Sequence, residues 1–365
     1  MSVVGCAVVG AGGWGSLVAD QITATDGLEL IGIADNAAQR VTAQAAQRRC
    51  RGYSQVSDAW ADPDVGAVVV ATPSHLHAQL ARAALRAGRH VLLEKPMALT
   101  TADADSINAA AQQASRVLML DHIQRYYAPL VALHDLVSRG ELGEVQGISV
   151  SRRDRLVRTK AWLRDRETVG GLLYQSACHE YDLLRWIGGE ICEISCLAAP
   201  RVIAPEPLNY PDLIVSQLRF QSGALGQVWD CMTDPLIGYD GVVTGSEGTA
   251  WFDLYQAGLR WRRIAGEPQE RSWQPADRWS PLAWMSSGGI AEGEAEAMRA
   301  LLRDFRDAIV TGTPPAVSGL DGARTVELAQ AGYLSIADRR PVSLPLSGAD
   351  RARQTYLEVP AGRDD

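Results

Sequence analysis

Residues 10–15 read Gly-Ala-Gly-Gly-Trp-Gly, directly after a β-branched run, Val3–Val9, and directly before an apolar stretch of helical spacing, Ser16–Thr23. A G-x-G-x-x-G run between a strand and a helix constrains the chain to a tight turn that brings a helix N-terminus up to a phosphate. Gly10 permits the turn, Gly12 lets an anion reach the backbone, and Gly15 lets helix and strand close together, with Gly13 and Trp14 between them. The helix start adds N–H groups and a favourable dipole. A second β-rich run, Leu28–Ala34, ends at Asp35, about 20 residues after the last glycine. A carboxylate there accepts hydrogen bonds from both hydroxyls of a ribose and repels a 2′-phosphate. The pattern predicts NAD rather than NADP, with Asn36 and Arg40 in the same pocket and Arg40 as the cation that softens the preference.

Further β-rich runs at Val65–Ala71, His90–Glu94 and Val117–Asp121 alternate with Ala-rich helical stretches, such as the stripe Leu76, Leu80, Ala84 and Ala87 and the stripe Ile107, Ala110, Ala111 and Ala114. Alternation of this kind implies βαβ units and a parallel sheet with right-handed crossovers. The fold class is therefore α/β, a Rossmann doubly wound domain over residues 1–121. The texture changes near residue 122. A helix is expected at Pro129–Ser138 and one long helix at about Gly170–Ile187. Strands at Leu213–Phe220, Ala224–Cys231, Gly241–Thr244, Thr249–Leu254 and Leu259–Ile264 sit at hairpin spacing, so the second domain, 122–345, is α+β with a mostly antiparallel, one-sided sheet. Helices near Glu292–Thr311 and Gly319–Asp338 close it, and residues 346–365 read as a polar, frayed tail. The segment Gly266–Gly289 has little periodicity but carries Trp273, Trp279 and Trp284, which suits a lid, an oligomer arm or a loop folded on its own aromatics.

Two domains fit 365 residues at roughly 100–200 residues per domain. With 47% hydrophobic and 21% charged residues the chain is an ordinary globular one. Its formal charge of -8, from 35 basic and 43 acidic residues, argues against a nucleic-acid partner and an anionic membrane surface. No apolar run reaches the roughly 18 residues of a membrane span, and the first basic residue is Arg40, so no signal-peptide n-region is present. Six scattered cysteines contain no CxxC pair, so neither a zinc ribbon nor a thioredoxin-like motif is supported, and Cys192 and Cys196 read as apolar packing rather than a disulfide or metal pair. A reduced, cytoplasmic setting is expected.

Thr72-Pro73-Ser74-His75-Leu76-His77 and Glu94-Lys95-Pro96 follow the third and fourth of these runs. Both fall at carboxyl ends of parallel strands, where open α/β sheets bind ligands. Pro96 restricts the backbone of Lys95 to extended conformations, aiming a cation out of the sheet edge. In the second domain Gln175, His179 and Asp182 are spaced i, i+4, i+7 and share a helix face.

These segments bring the chain to a resemblance. It is similar over nearly its whole length to the glucose–fructose oxidoreductase, inositol dehydrogenase and rhizopine-catabolism family (Gfo/Idh/MocA). The carriers are Gly10–Gly15, ATPSHLH at 71–77, AGRHVLLEKPMALT at 87–100, DHIQRYYAP at 121–129, GELGEV at 140–145, GGLLYQSACHEYDLLRW at 170–186 and the closing run at 305–333. The resemblance implies an NAD(P)-dependent oxidoreductase acting on CH–OH groups of a sugar, cyclitol or nucleotide sugar. It implies a large open sheet in the second domain that pairs subunits into a homodimer or homotetramer. It places Lys95 and His179 beside the substrate and adds Thr72, Pro73, His75, His77, Glu94, Lys95, Pro96 and Gln124 to the cofactor set. Many members carry Asp four residues before the histidine, where this chain has Gln175, preceded by Tyr174. Glutamine still hydrogen-bonds a hydroxyl but holds no charge, which puts an inositol-dehydrogenase-like triad in doubt. The expected roles are Lys95 and His179 as acid and base with Gln175 beside them, and Tyr126, Arg152, Lys160, Trp162, Tyr174, Gln175 and His179 as substrate contacts. The Arg152–Arg155 cluster suits a carboxylate or phosphate, or else a solvated strand edge. Two other readings stand beside this one: an enzyme that retains NAD and uses transient oxidation to cleave or eliminate, and an NAD-binding regulator without chemistry.

Overall fold

In the computed structural model, residues 3–155, 161–199, 208–256, 258–272 and 292–357 are described. They group into two units. The first holds the chain up to Ile123 and Ala295–Ala323; the second holds the chain from Gln124, residues 292–294 and the chain from Arg324 onward.

The first unit is built on β1 (Val4–Val9), β2 (Leu28–Ala34), β3 (Arg51–Tyr53), β4 (Ala67–Val70), β5 (His90–Glu94) and β6 (Leu118–Asp121). All neighbours are parallel and the order is β3-β2-β1-β4-β5-β6. This is the strand order of a dinucleotide-binding sheet. Its central strands are continuous Val, Leu and Ala runs because helices cover both faces; all four residues of β4 are buried. The sequence reading found five of the six strands. β3 escaped it because an edge strand of three residues with Arg51 and Gly52 exposed has no apolar periodicity. The helices are α1 (Gly13–Thr23), α2 (Ala38–Arg48), α3 (Val56–Ala61), α4 (His77–Arg86) and α5 (Thr101–Ala114). The buried stripe of α4 is Ala78, Ala81, Ala84 and Leu85, not the expected Leu76, Leu80, Ala84 and Ala87. The helix starts one residue after Leu76, and small residues let it lie close to the sheet. The expected stripe of α5 is correct for Ile107, Ala110 and Ala111.

The second unit contains a nine-stranded sheet. After α6 (Ala128–Ser138) come β7 (Val145–Arg155), α7 (Arg166–Val169), α8 (Cys178–Gly188), β8 (Ile191–Ala199), β9 (Leu213–Phe220), β10 (Leu225–Cys231), β11 (Thr233–Gly245), β12 (Gly248–Asp253), β13 (Gly258–Arg263), β14 (Gln269–Ser272) and β15 (Val342–Ser343). The order is β14-β13-β12-β11-β7-β10-β9-β8-β15, antiparallel throughout except that β7 and β10 run parallel. Burial alternates along β9 and β10, so one face is packed and the other carries exposed side chains such as Leu225 and Trp229. Leu184 of α8 lies against Gly226, and Gly188 against Phe220 and Ile148, which places α8 on the packed face.

Two expectations change here. The single helix over Gly170–Ile187 is broken: α7 ends at Val169, Gly170 and Gly171 both sit at φ 78°, and a π-helical turn spans Leu173–Ala177 before α8. A Cβ on Gly171 would lie 2.3 Å from Tyr333 Oη, whose hydroxyl accepts the Leu173 N–H at 3.3 Å. Close approach to that tyrosine is what requires glycine there. The tail is also not frayed up to residue 357. Thr355 and Tyr356 are buried, and Gln330 Nε2 donates to the carbonyls of Asp350, Arg351 and Arg353. Residues 358–365 lie outside the described residues, as do Trp273, Trp279 and Trp284. Within the segment read as aperiodic, Gln269–Ser272 is the strand β14.

Candidate functional site

The carboxyl edge of the first sheet collects most of the residues singled out by sequence. Gly10, at φ 102°, turns the chain out of β1; a Cβ there would meet Ala71 O at 2.3 Å. A Cβ on Gly15 would lie 1.8 Å from Gly10 O, so both glycines are demanded by the fold itself. Gly12 is different. Its backbone is extended, and a Cβ built on it meets nothing within 4 Å. Gly12 also starts α1 with no side-chain cap, and the first turn carries no acidic residue. An uncapped helix start with open space over its glycine fits the pyrophosphate of a dinucleotide.

Asp35 stands where the adenine ribose is expected. Its Oδ2 accepts the Ala11 N–H at 2.8 Å and its Oδ1 the Ala37 N–H at 2.9 Å. Arg40 Nη1 donates to both oxygens, at 3.0 and 3.1 Å. Arg40 is therefore in direct ion contact with the carboxylate expected at the ribose, while Asn36 beside them is exposed.

Lys95 follows the last residue of β5, and its peptide bond to Pro96 is cis. Lys95 is half-buried. Glu94 Oε2 accepts the Lys95 N–H at 3.0 Å. Trp14 Nε1 reaches Asp121, the last residue of β6, and donates to Oδ2 at 3.2 Å. Burial and the neighbouring Asp121 push the Glu94 carboxyl well above the usual carboxylate range. Thr72 and Pro73 are half-buried and His75 is exposed on the same edge. His77 differs from the expectation. It is buried, with Nε2 2.8 Å from Thr72 O and Nδ1 2.7 Å from Pro96 O. Both ring nitrogens face backbone carbonyls, so His77 straps the loop after β4 to the loop after β5 and has none left to face a cofactor. Burial pushes its pKa down.

In the second unit, the π turn and α8 present Gln175, half-buried, and His179, buried at 8% exposure. A π turn inserted in a helix is frequent at functional sites. Asp182, expected on the same face, is spent on structure: Arg125 Nε and Nη2 hold its two oxygens at 2.7 and 2.6 Å, and both side chains are buried.

Three expected contacts are corrected. Tyr174 is 1% exposed and lies between Tyr333 and Tyr356, with ring centroids at 6.1 and 5.6 Å. It is a core residue, because the extra residue of the π turn points it inward. Arg152 is 7% exposed and already paired, with Nε 2.9 Å from Asp154 Oδ2 and Nη1 3.4 Å from Glu180 Oε1. Its guanidinium also lies 5.7 Å from the Tyr239 ring. The alternation of β7 turns Arg152 and Asp154 into the packed layer, so this arginine is neither a solvated edge nor open to an anionic ligand. Gln124 is buried, and its Oε1 accepts from Tyr239 Oη at 2.7 Å. Tyr126 is half-buried and Trp162 is 36% exposed, both accessible; Lys160 lies outside the described residues.

Sequence reasoning missed the rest of this interior network. Asp230, the register partner of Arg152 on β10, accepts from Ser176 Oγ at 3.1 Å, and Tyr255 Oη donates to Asp154 Oδ1 at 3.0 Å. Burial and the charge of Glu180 push the Asp230 carboxyl well above its usual range. Asp121 was missed too, although its place as the final residue of an expected strand beside Glu94 was a usable signal. No group of three or more His, Cys, Asp or Glu able to hold a metal occurs among the described residues, and no helix among them is long and apolar enough to cross a membrane.

Comparison with known proteins covers the whole arrangement. Residues 4–122 match the oxidoreductase family with an NAD-binding Rossmann fold, and residues 134–344 match the C-terminal alpha/beta domain of that family. The chain is 26% identical over 343 residues to a myo-inositol 2-dehydrogenase of Thermotoga maritima, covering 92% of this chain and 97% of that one. It is 32% identical over 232 residues to a 1,5-anhydro-D-fructose reductase of Ensifer adhaerens, covering 62% and 69%. Among solved structures it is similar to GenD2 from gentamicin A biosynthesis in complex with NAD, with a TM-score of 0.80 at 27% identity over 95% of this chain and 97% of that one.

Proposed function

The chain belongs to the Gfo/Idh/MocA oxidoreductase family and carries its NAD-binding Rossmann fold, and on that premise we propose that it moves hydride between NAD and a CH–OH or C=O carbon of a sugar- or cyclitol-like molecule, with Lys95 and His179 handling the proton. The observation that carries the reading is the edge of the first sheet. The open space over Gly12 and the uncapped start of α1 fit the pyrophosphate, Asp35 fits the ribose, and Lys95 emerges from the end of β5 on the same edge. Bound there, NAD supplies the hydride acceptor or donor.

The chain supplies the rest. A primary amine next to a dinucleotide edge takes a hydroxyl proton when neutral and returns one when charged, and His179 is the second group able to do so. Gln175 hydrogen-bonds a substrate hydroxyl without adding charge. Tyr126 and Trp162 offer accessible aromatic surface to a sugar ring. The names of the relatives, which act on myo-inositol and anhydrofructose, support a polyhydroxylated carbon skeleton.

The test is absorbance at 340 nm with NAD and pools of sugars, cyclitols, sugar acids and nucleotide sugars, with Lys95→Ala as control. A rise that Lys95→Ala abolishes supports the reading, and splitting the pools finds the substrate. Protein that binds NAD but gives no change with any pool, in either direction, overturns it.

A further inference from the structure

Glu94 ends β5 and Asp121 ends β6, and the two are register partners in adjacent parallel strands. Partners in register leave a sheet on the same side. Asp121 acts on the Glu94 carboxyl both as a like charge and as a side-chain hydrogen-bond partner, and each raises it. Two ionised carboxylates cannot make that bond, because each is an acceptor only. A hydrogen bond between them therefore calls for one shared proton. Glu94 Oε1 and Asp121 Oδ1 are both buried without a hydrogen-bond partner among the described residues, which a proton shared between those two oxygens would explain. The outer oxygens are used as well: Glu94 Oε2 accepts the backbone N–H of Lys95 at 3.0 Å, and Asp121 Oδ2 accepts the indole N–H of Trp14 at 3.2 Å. The result is one line of three hydrogen bonds from the peptide of Lys95 to the side chain within the glycine run.

We propose that Asp121 is a positioning residue for the reaction at this edge: by sharing a proton with Glu94 it clamps Trp14 of the glycine loop to the backbone of Lys95, so that cofactor loop and lysine keep one geometry. The proposal rests on the reading of this edge as the nicotinamide site. The clamp is pH-sensitive by construction. The charged group acting on the pair is Lys95, which favours an ionised Glu94, while the glycine loop contributes only a neutral indole; burial and like-charge repulsion between the carboxyls hold the proton in place. As pH rises and the proton leaves, the central hydrogen bond is replaced by repulsion between two like charges, and both ends are released.

The experiment compares the full-length protein with Asp121→Asn and Asp121→Ala. Infrared spectra of protein labelled at its Asp and Glu carboxyls, taken in an Asp230→Asn background so that buried Asp230 contributes no band, should show an un-ionised carboxyl band at neutral pH that Asp121→Asn loses. Calorimetric titration with NAD should show about tenfold weaker binding by Asp121→Ala, the size of one hydrogen bond to a charged group. Asp121→Asn should restore most of that affinity, because its Oδ1 still accepts from Trp14 and its Nδ2 donates to an ionised Glu94. The wild type should lose NAD affinity at alkaline pH, and Asp121→Asn should not. The proposal is overturned if the band is absent, if it persists in Asp121→Asn, or if alanine and asparagine behave alike. Neither readout needs turnover, so a protein that passes both and oxidises nothing counts against the proposed function and not against the clamp.

Discussion

Replacing Gly12 by alanine separates binding from folding. Gly12 has φ -71° and ψ -174°, a conformation open to any residue, and its added Cβ meets nothing within 4 Å. Two small effects on stability oppose each other. Alanine lowers the entropy of the unfolded chain, a gain of about 0.4–1 kcal/mol, but it caps a helix less well than glycine does. The net change should lie within about 1 kcal/mol, so the thermal midpoint should stay within roughly 4 °C of wild type. The new methyl group would occupy the space over the start of α1 where the pyrophosphate fits. An overpacked contact costs about 1–3 kcal/mol, which is roughly a 5- to 150-fold loss of NAD affinity. Gly15→Ala is the contrast, since its Cβ would sit 1.8 Å from Gly10 O and the fold itself must give way. Scanning calorimetry and NAD titration on both variants decide the matter. A Gly12→Ala protein that keeps its midpoint and binds NAD within about twofold of wild type would refute the placement of the phosphates.

His179→Ala should lower turnover by about 10²–10⁴-fold, the share of one acid–base group, while NAD titration stays close to wild type; near-normal turnover removes it from the mechanism. Arg152→Ala leaves Asp154 and Glu180 buried without their cation, which should cost about 3–5 kcal/mol; a variant of normal stability with only a raised KM would return Arg152 to the substrate contacts. Arg40→Ala should sharpen discrimination against NADP, because the Asp35 carboxylate then faces the 2′ position without a paired cation; an unchanged ratio of kcat/KM for NAD and NADP argues against Asp35 as the ribose ligand. Burial and Arg116 bring His90 down to about 4, so the unfolded chain, titrating near 6.5, takes up the proton first. The stability tied to neutral His90 is complete above about pH 6.5 and is lost as pH falls toward 4; thermal midpoints between those limits should fall less steeply in His90→Asn, and parallel curves would contradict the assignment.

What could be read from the chain beforehand follows a physical division. The glycine run, Asp35 and the five long strands of the first sheet were legible because each is a local demand. A turn at φ 102°, a helix start beside a phosphate and a strand buried on both faces each write their requirement into consecutive residues. β3 was not legible because an exposed three-residue edge demands almost nothing of its side chains. The π turn was invisible for another reason. It answers to Tyr333, far along the chain, whose hydroxyl takes the Leu173 N–H and leaves room only for glycine at 171. Once that turn is inserted, helical spacing no longer predicts which of Tyr174 and Gln175 faces inward.

Arg152 shows the same division within the candidate site. As one of several arginines in Ser151-Arg152-Arg153-Asp154-Arg155 it looked like a surface cluster awaiting an anion. Its partners arrive from three other elements: Glu180 from α8, Asp230 from β10 and Tyr239 from β11. Three buried carboxylates around one guanidinium would carry an excess negative charge in a region of low dielectric. Such a region relieves excess charge by taking up protons, and the Asp230 carboxyl is pushed upward accordingly by burial and the charge of Glu180. At the edge of the first sheet Glu94 and Asp121 meet the same difficulty with Lys95 as the neighbouring cation, and the proposed shared proton is the corresponding remedy. In both places the acidic residue next in sequence to a proposed proton-handling group, Glu180 beside His179 and Glu94 beside Lys95, is already engaged, Glu180 by the Arg152 guanidinium and Glu94 by the Lys95 N–H. With these carboxylates so engaged, the proposed function leaves the proton exchanged with substrate to Lys95 and His179.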